Sequence, residues 1–259
     1  GPYFETFYSD ILAAHEVAHQ WWGNAVSSQG PQNTWLMEAL ANYSALLYLE
    51  KRRGVKALDS VLAEYRKRLL SVTSEGRTIE STGPIVWGGR LLSSQAPQAW
   101  QTIVYEKGSW IIHMLRRRMG DDRFFAMLAE LVKRYNRSAL SAEQFRLAAS
   151  KYMPPGSPDP GLETFFQNYV YSTGLPALRL QSSIRGGASG WTVTGKVTQS
   201  GVDEDFSAWV PVEIQFKTGR PAVHWVRTDS DPVEFSASFK QQPVKVVLDP
   251  SDTILAVKR

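Results

Sequence analysis

The pentapeptide His15-Glu16-Val17-Ala18-His19 constrains this chain more than any other stretch. Two histidines four positions apart point the same way on an α-helix, where i and i+4 share a face. The segment therefore predicts a helix, from Phe7 to about Val26, with both imidazoles one turn apart and able to grip one metal ion. Glu16 projects beside them, placed to hold a water rather than the metal itself. A third ligand must come from elsewhere. Glu38, on the next predicted helix and after eighteen intervening residues, is the natural candidate. Two His and one Glu leave the fourth tetrahedral position for water, which is the pattern of a catalytic rather than a structural zinc.

The chain has only four His, so this spacing around a Glu is hard to reach by chance. The competing reading is an amphipathic core helix with two satisfied histidines. Ala13, Ala14, Val17 and Ala18 are small and apolar, and predict that the helix is buried. Three ionisable groups in a buried helix pair are costly unless something pairs them, and a zinc ion does.

The run from His15 to Asn24, His-Glu-Val-Ala-His-Gln-Trp-Trp-Gly-Asn, followed by Glu38, resembles the gluzincin metallopeptidases of the aminopeptidase N family. Trp35-Leu36-Met37-Glu38-Ala39-Leu40-Ala41-Asn42-Tyr43 is similar to that family's W-L-N-E-G-F-A-x-Y segment. Met37 stands where the family usually has Asn, and Ala39 where it usually has Gly. Neither departure removes a ligand, but either can alter how the Glu38 helix packs beside a substrate. Ile103-Val104-Tyr105-Glu106-Lys107-Gly108 resembles the family's Y-x-K-G segment, and the resemblance implies that Tyr105 hydrogen-bonds the tetrahedral intermediate. By its residues alone, Tyr105 reads as a half-buried helix tyrosine. Phe165 to Val170, running on to Gly174-Leu175-Pro176, resembles the junction where the family's helical region gives way to a β-domain.

The resemblance implies an α+β fold, with a mainly helical, thermolysin-like catalytic region followed by a small all-β sandwich. It implies zinc-dependent hydrolysis of peptide bonds, with one zinc per chain on His15, His19 and Glu38. Glu16 and Tyr105 are then the catalytic residues and peptides the substrates, with action at peptide N-termini as the leading expectation. Two other readings stay open: a gluzincin endopeptidase on the same zinc core, and a catalytically incomplete metal-binding or interaction fragment. The family's G-x-M-E-N segment, whose Glu holds the substrate's free amino group, does not occur in this sequence. Nor does the family's large amino-terminal β-domain. The Gly1-Pro2 start is compatible with a cleavage scar, and the chain is expected to be a piece of a longer enzyme.

With 259 residues the chain can hold one large or two modest domains with ample core. Its 43% hydrophobic and 12% aromatic content argues against disorder. No run of eighteen apolar residues offers a transmembrane helix. The absence of Cys excludes disulfides and thiolate zinc ligands, and fits either the cytoplasm or the periplasm. The formal charge of +4 is mild. Its basic clusters, Lys51-Arg52-Arg53, Arg66-Lys67-Arg68 and Arg116-Arg117-Arg118, lie near predicted helix ends, where the helix dipole favours them. Nucleic-acid binding is therefore not expected.

The first 176 residues read as mostly helical. Thr34 is a plausible N-cap for a helix that runs to about Arg53 and is stopped by Gly54. Asp59 to Leu70 repeats apolar residues at helical spacing. Residues 74–97 look like a long loop, whose Gly83 to Gly89 stretch either faces a substrate cleft or forms an irregular surface connection. Helix resumes from Gln98 to Met119 and is ended by Gly120. Asp121 to Tyr135, Ser141 to Tyr152 and Gly161 to Ser172 are three more amphipathic helices, with a capping box at Ser141 and Gln144. From 177 to 259, six short runs alternate with period two between Gly, Asp and Pro, which is a β-sandwich signature. Asn42, one turn beyond Glu38, reads either as a partner for a zinc histidine or as a helix-surface residue. His113 and His224 read as structural histidines.

Overall fold

Two glycines in the left-handed region divide the helical part of the chain. In this computed structural model, which describes residues 2–92, 96–187 and 189–258 with side chains over 9–92, 96–187 and 189–257, α2 (Thr34–Arg53) stops at Gly54 (φ 86°) and α3 (Val55–Leu69) starts from it. Gly120 (φ 79°) does the same between α5 (Gly108–Met119) and α6 (Asp121–Tyr135). A side chain with a Cβ is disfavoured at such φ, so these breaks are written into the sequence. The three basic clusters occupy the last turns of α2, α3 and α5, as the helix dipole favours. α7 (Ala142–Ser150) carries the expected capping box: Gln144 N–H donates to Ser141 Oγ, and Ser141 N–H donates to Gln144 Oε1. α8 (Glu163–Tyr169) is shorter than its apolar pattern.

Four local expectations fail for identifiable reasons. α1 (Pro2–Ala18) ends eight residues before Val26. Past it the bonds first tighten, from Gln20 N–H to Val17 O and from Trp21 N–H to Ala18 O. They then widen to five-residue spans at Asn24, Ala25 and Val26, around Gly23 at φ 124°. Thr34 is the first residue of α2 and its hydroxyl donates back to Pro31 O at 2.9 Å, so Asn33 takes the N-cap position. The Asn33 amide does not cap; it donates to Gln29 O and accepts from Ala142 N–H, tying the start of α2 to α7. The predicted helix over 98–119 is broken into α4 (Ala99–Gln101), a π-helical turn (Thr102–Lys107) and α5.

The fourth concerns burial. α1 packs along α2, and Ile11, His15, Ala18 and Trp22 are buried there. Ala13 and Val17 are exposed, Val17 at 60%, because they lie on the face turned away from α2. That face lines an apolar groove with Leu128, Ala129 and Val132 of α6.

α2 is the core of this unit. Trp35, Leu36, Tyr43, Leu46 and Leu49 are almost wholly inaccessible, and each such side chain stabilises the fold by about 1.5–3 kcal/mol. The 74–97 segment, of which 93–95 lie outside the described residues, is not a bare loop. It contains short 3₁₀ turns at Glu80–Thr82 and Ile85–Leu91, and buries Glu80, Ile85 and Leu91. Gly88 (φ 53°) sits against Pro31 O, where a Cβ would be strained and would come within 3.0 Å of that oxygen. β1 (Val26–Ser28) and β2 (Ser138–Leu140) form a two-stranded parallel sheet, pairing Val26 with Ser138. Three-residue strands are too short to show a period.

The chain divides into two compact units, residues 1–155 with 160–173, and residues 156–159 with 174–259. The second is all β. β3 (Ala177–Gly187), β4 (Gly190–Ser200), β7 (Val233–Phe239) and β9 (Val257–Lys258) form a sheet in the order β7-β4-β3-β9. β5 (Trp209–Phe216), β6 (Ala222–Arg227) and β8 (Pro243–Leu248) form another in the order β6-β5-β8. Val193, Val197 and Phe235 from the first sheet meet Val212, Ile214 and Val226 from the second. These are the apolar members of the period-two runs, so their alternation selects the buried face. His224 stacks on Phe235 within this unit. The molecule is α+β, as expected.

Candidate metal centre

α1 and α2 bring together the three residues singled out as ligands. His15 Nε2 and His19 Nε2 lie 2.9 Å apart. Glu38 Oε2 lies 3.4 Å from the first and 3.6 Å from the second. His15, at the end of α1, is buried; His19, in the turn beyond, is half-buried, as is Glu38 on α2. Continuity of the backbone past Ala18 keeps the i, i+4 geometry, because His19 N–H still donates to His15 O at 3.2 Å. The tight turn that ends α1 also supplies the Trp22 carbonyl. His19 Nδ1–H donates to it at 2.7 Å, which turns the Nε2 lone pair toward His15 and Glu38.

This donor set fits a divalent metal. Two imidazole nitrogens and a carboxylate oxygen lie within 4.8 Å of one another. Glu38 Oε2 and His15 Nδ1 are buried without a well-formed hydrogen bond among the described residues. Burial alone raises the pKa of the Glu38 carboxyl, but its contacts with His15, Tyr105 and His19 outweigh that and hold it below the usual range. The carboxyl is therefore an anion, which a cation would pair.

The other two expected site residues stand at the same cluster. Tyr105, on the π turn, has its hydroxyl beside the Glu38 carboxylate, and its ring lies 5.5 Å from that of His15. Burial and the negative charges of Glu38 and Glu16 push the phenol pKa well up, so it keeps its proton. Glu16 is exposed on α1 and lines, with His15 and Tyr105, a cavity of about 230 Å³.

That cavity also exposes residues the sequence did not single out. Trp100 packs edge-on against Tyr105 at 5.5 Å. Arg68 Nε donates to Glu106 Oε1 at 2.7 Å on the same wall. Burial pushes the Glu106 carboxyl up to about 7, against the pull of Arg68. A charged residue directly after Tyr105 was the available signal for this pair.

Asn42 does neither thing expected of it. It is buried, and its amide shares two hydrogens among Ser109 Oγ (2.8 Å), Tyr65 OH (3.1 Å) and Tyr105 O (3.4 Å), not a histidine. His113 is a core histidine, with its Nδ1 2.9 Å from the Tyr43 hydroxyl. The Gly83–Gly89 stretch packs at the start of α2 and does not line the cavity beside Tyr105. The Ala39 methyl lies where α2 meets α5, and a Cβ on Gly108 would come within 2.7 Å of it. Met37 is buried in the same helix.

The chain is similar to known proteins in sequence and in shape. Aminopeptidase M1-D of rice (Oryza sativa subsp. japonica) is 30% identical over 138 residues, covering 51% of this chain and 15% of the relative. The structure of Legionella pneumophila aminopeptidase A in complex with aspartic acid superposes with a TM-score of 0.65 at 18% identity, covering 96% of this chain and 26% of that one. The Deinococcus radiodurans M1 zinc metallopeptidase, an E323A mutant bound to a Tyr-Ser-Ala substrate, gives a TM-score of 0.50 at 22% identity over 64% of this chain and 34% of its own. The chain thus spans only a minor part of the length of each. The family pattern described as the peptidase family M1 domain matches residues 9–171, well over half of the sequence. The chain belongs to peptidase family M1.

Proposed function

We propose that the helical unit is the zinc-binding catalytic domain of an aminopeptidase, that the β-sandwich unit is a separate domain beginning near residue 177, and that peptides are the substrates. The observation that carries this reading is the convergence of His15 Nε2, His19 Nε2 and Glu38 Oε2 on one point, with Glu16 and Tyr105 beside it. The Deinococcus neighbour is a zinc metallopeptidase, and zinc is the metal assigned here, one per chain.

When bound, zinc supplies Lewis acidity, polarising a carbonyl and lowering the pKa of water from 15.7 toward about 7. The chain's own residues do the rest. Glu16, exposed at the cavity, accepts the proton of the attacking water and passes it to the departing amine. The Tyr105 phenol, kept protonated by its surroundings, donates to the oxygen that gains charge as the carbonyl is attacked. His19 is held in one tautomer by the Trp22 carbonyl, so its Nε2 stays available as a ligand.

The test is metal content with Glu38→Ala as the paired control. One zinc per chain, absent from the variant, is the expected result. A wild-type chain that takes up no zinc when it is supplied would refute the centre. Free-amine peptides should be cut and their N-acetylated forms resist; cleavage of both would favour an endopeptidase.

A further inference from the structure

We propose that Asn42 is a positioning residue for Tyr105, acting through the tyrosine's backbone. The inference rests on the catalytic reading of Tyr105 above. Asn42 lies on α2 one turn after Glu38, so the two share a face of that helix. Tyr105 meets this face at two points: its phenol lies beside the Glu38 carboxylate, and its carbonyl accepts from Asn42 Nδ2 at 3.4 Å. One helix thus faces the tyrosine at its tip and holds its backbone, which positions the phenol relative to the donor cluster.

The local backbone makes such an attachment useful. Tyr105 lies within the π turn over Thr102–Lys107, where one extra residue widens the helix and shifts the side chains that follow. Asn42 spans the exit from that turn, because the same amide also donates to Ser109 Oγ in the first turn of α5. Its further bond to Tyr65 OH ties α3 to the same point. Two further supports of the turn act on neighbouring residues: Lys107 Nζ donates to Glu80 Oε1 at 2.6 Å, and Arg68 holds Glu106. Trp100 packs on the Tyr105 ring, whereas Asn42 bonds the backbone of Tyr105.

The chemistry of the three partners provides a clean variant. Two are hydroxyls, which can turn and donate to a carboxylate; the third is a carbonyl, which only accepts. Asn42→Asp therefore keeps the links to Tyr65 and Ser109 and loses the one to Tyr105. With an aminoacyl anilide as substrate, kcat should fall about ten- to a hundredfold with KM and Tm little changed. Tyr105→Phe should be slow by itself, and adding Asn42→Asp to it should cost no more.

An equal loss in the Tyr105→Phe background, or a fall in Tm that accounts for the lost turnover, would make Asn42 merely structural and overturn the proposal. Full activity of Tyr105→Phe would remove the catalytic reading of that residue, and this inference with it. A crystal structure of Asn42→Asp supplies the check without turnover: the phenol should have left Glu38. An unmoved Tyr105 overturns the proposal.

Discussion

The wall of the donor cluster built by α2 and the π turn is buried and cross-linked; the wall built by α1 is seated on one side only. On the first, Asn42, the Lys107–Glu80 pair and the Arg68–Glu106 pair tie Tyr105's segment to three other stretches of chain. On the second, the helix carrying His15 and Glu16 buries one face on α2, while Val17 and, just past its end, Trp21 stay exposed. The donor atoms sit where these walls meet. A bound metal would join a rigid wall to a less constrained one, so metal binding stabilises their contact as well as preparing the chemistry.

Breaking the rigid wall should have the largest effect. Lys107 and Glu80 are fully buried, and Lys107→Met would take from the buried Glu80 carboxylate its lysine. A loss of about 3–5 kcal/mol in denaturant unfolding is expected. Tyr105→Phe comes next, with zinc content unchanged and about 2.7–4 kcal/mol of transition-state stabilisation lost, read as kcat/KM.

Glu106 sharpens the comparison through pH. Its folded pKa of about 7 lies above the ordinary 4.5, so between those values the folded state holds a proton that the unfolded state has lost. Its contribution therefore falls as pH rises from about 4.5 through 7. The slope is at most about 1.4 kcal/mol per pH unit. Unfolding of Glu106→Gln across that window should lack this slope; an unchanged profile would mean that Arg68 keeps the carboxylate ionised. On the open wall, Val17→Lys should shift Tm hardly at all, with stability within about 0.5 kcal/mol of wild type.

Much of the site was legible because its geometry is local. The i, i+4 spacing brings His15 and His19 together wherever the helix sits, and Gly54 and Gly120 end helices through their own backbone freedom. In the second unit, period-two alternation marks the inward residues Val193, Val212 and Val226 before any sheet is known. The boundary of α1 was misjudged because apolar content continues through Trp21 and Trp22, whereas Gly23 and the five-residue bonds around it unwind the chain. Burial of that helix was misjudged because small apolar residues permit burial without requiring it.

The sequence by itself therefore determined which side chains could act as ligands, where most helices stop, and which face of each strand turns inward. All of these follow from spacing or from the backbone preference of single residues. Only the tertiary structure decided that Asn42 bonds Tyr105 and not a histidine, that Lys107 reaches Glu80, that the Tyr105 helix takes a π turn, and that Val26 pairs with Ser138. Those outcomes depend on which distant groups packing brings within hydrogen-bond reach. A polar side chain buried among several partners follows the nearest one that satisfies it, and spacing along the chain does not name that partner.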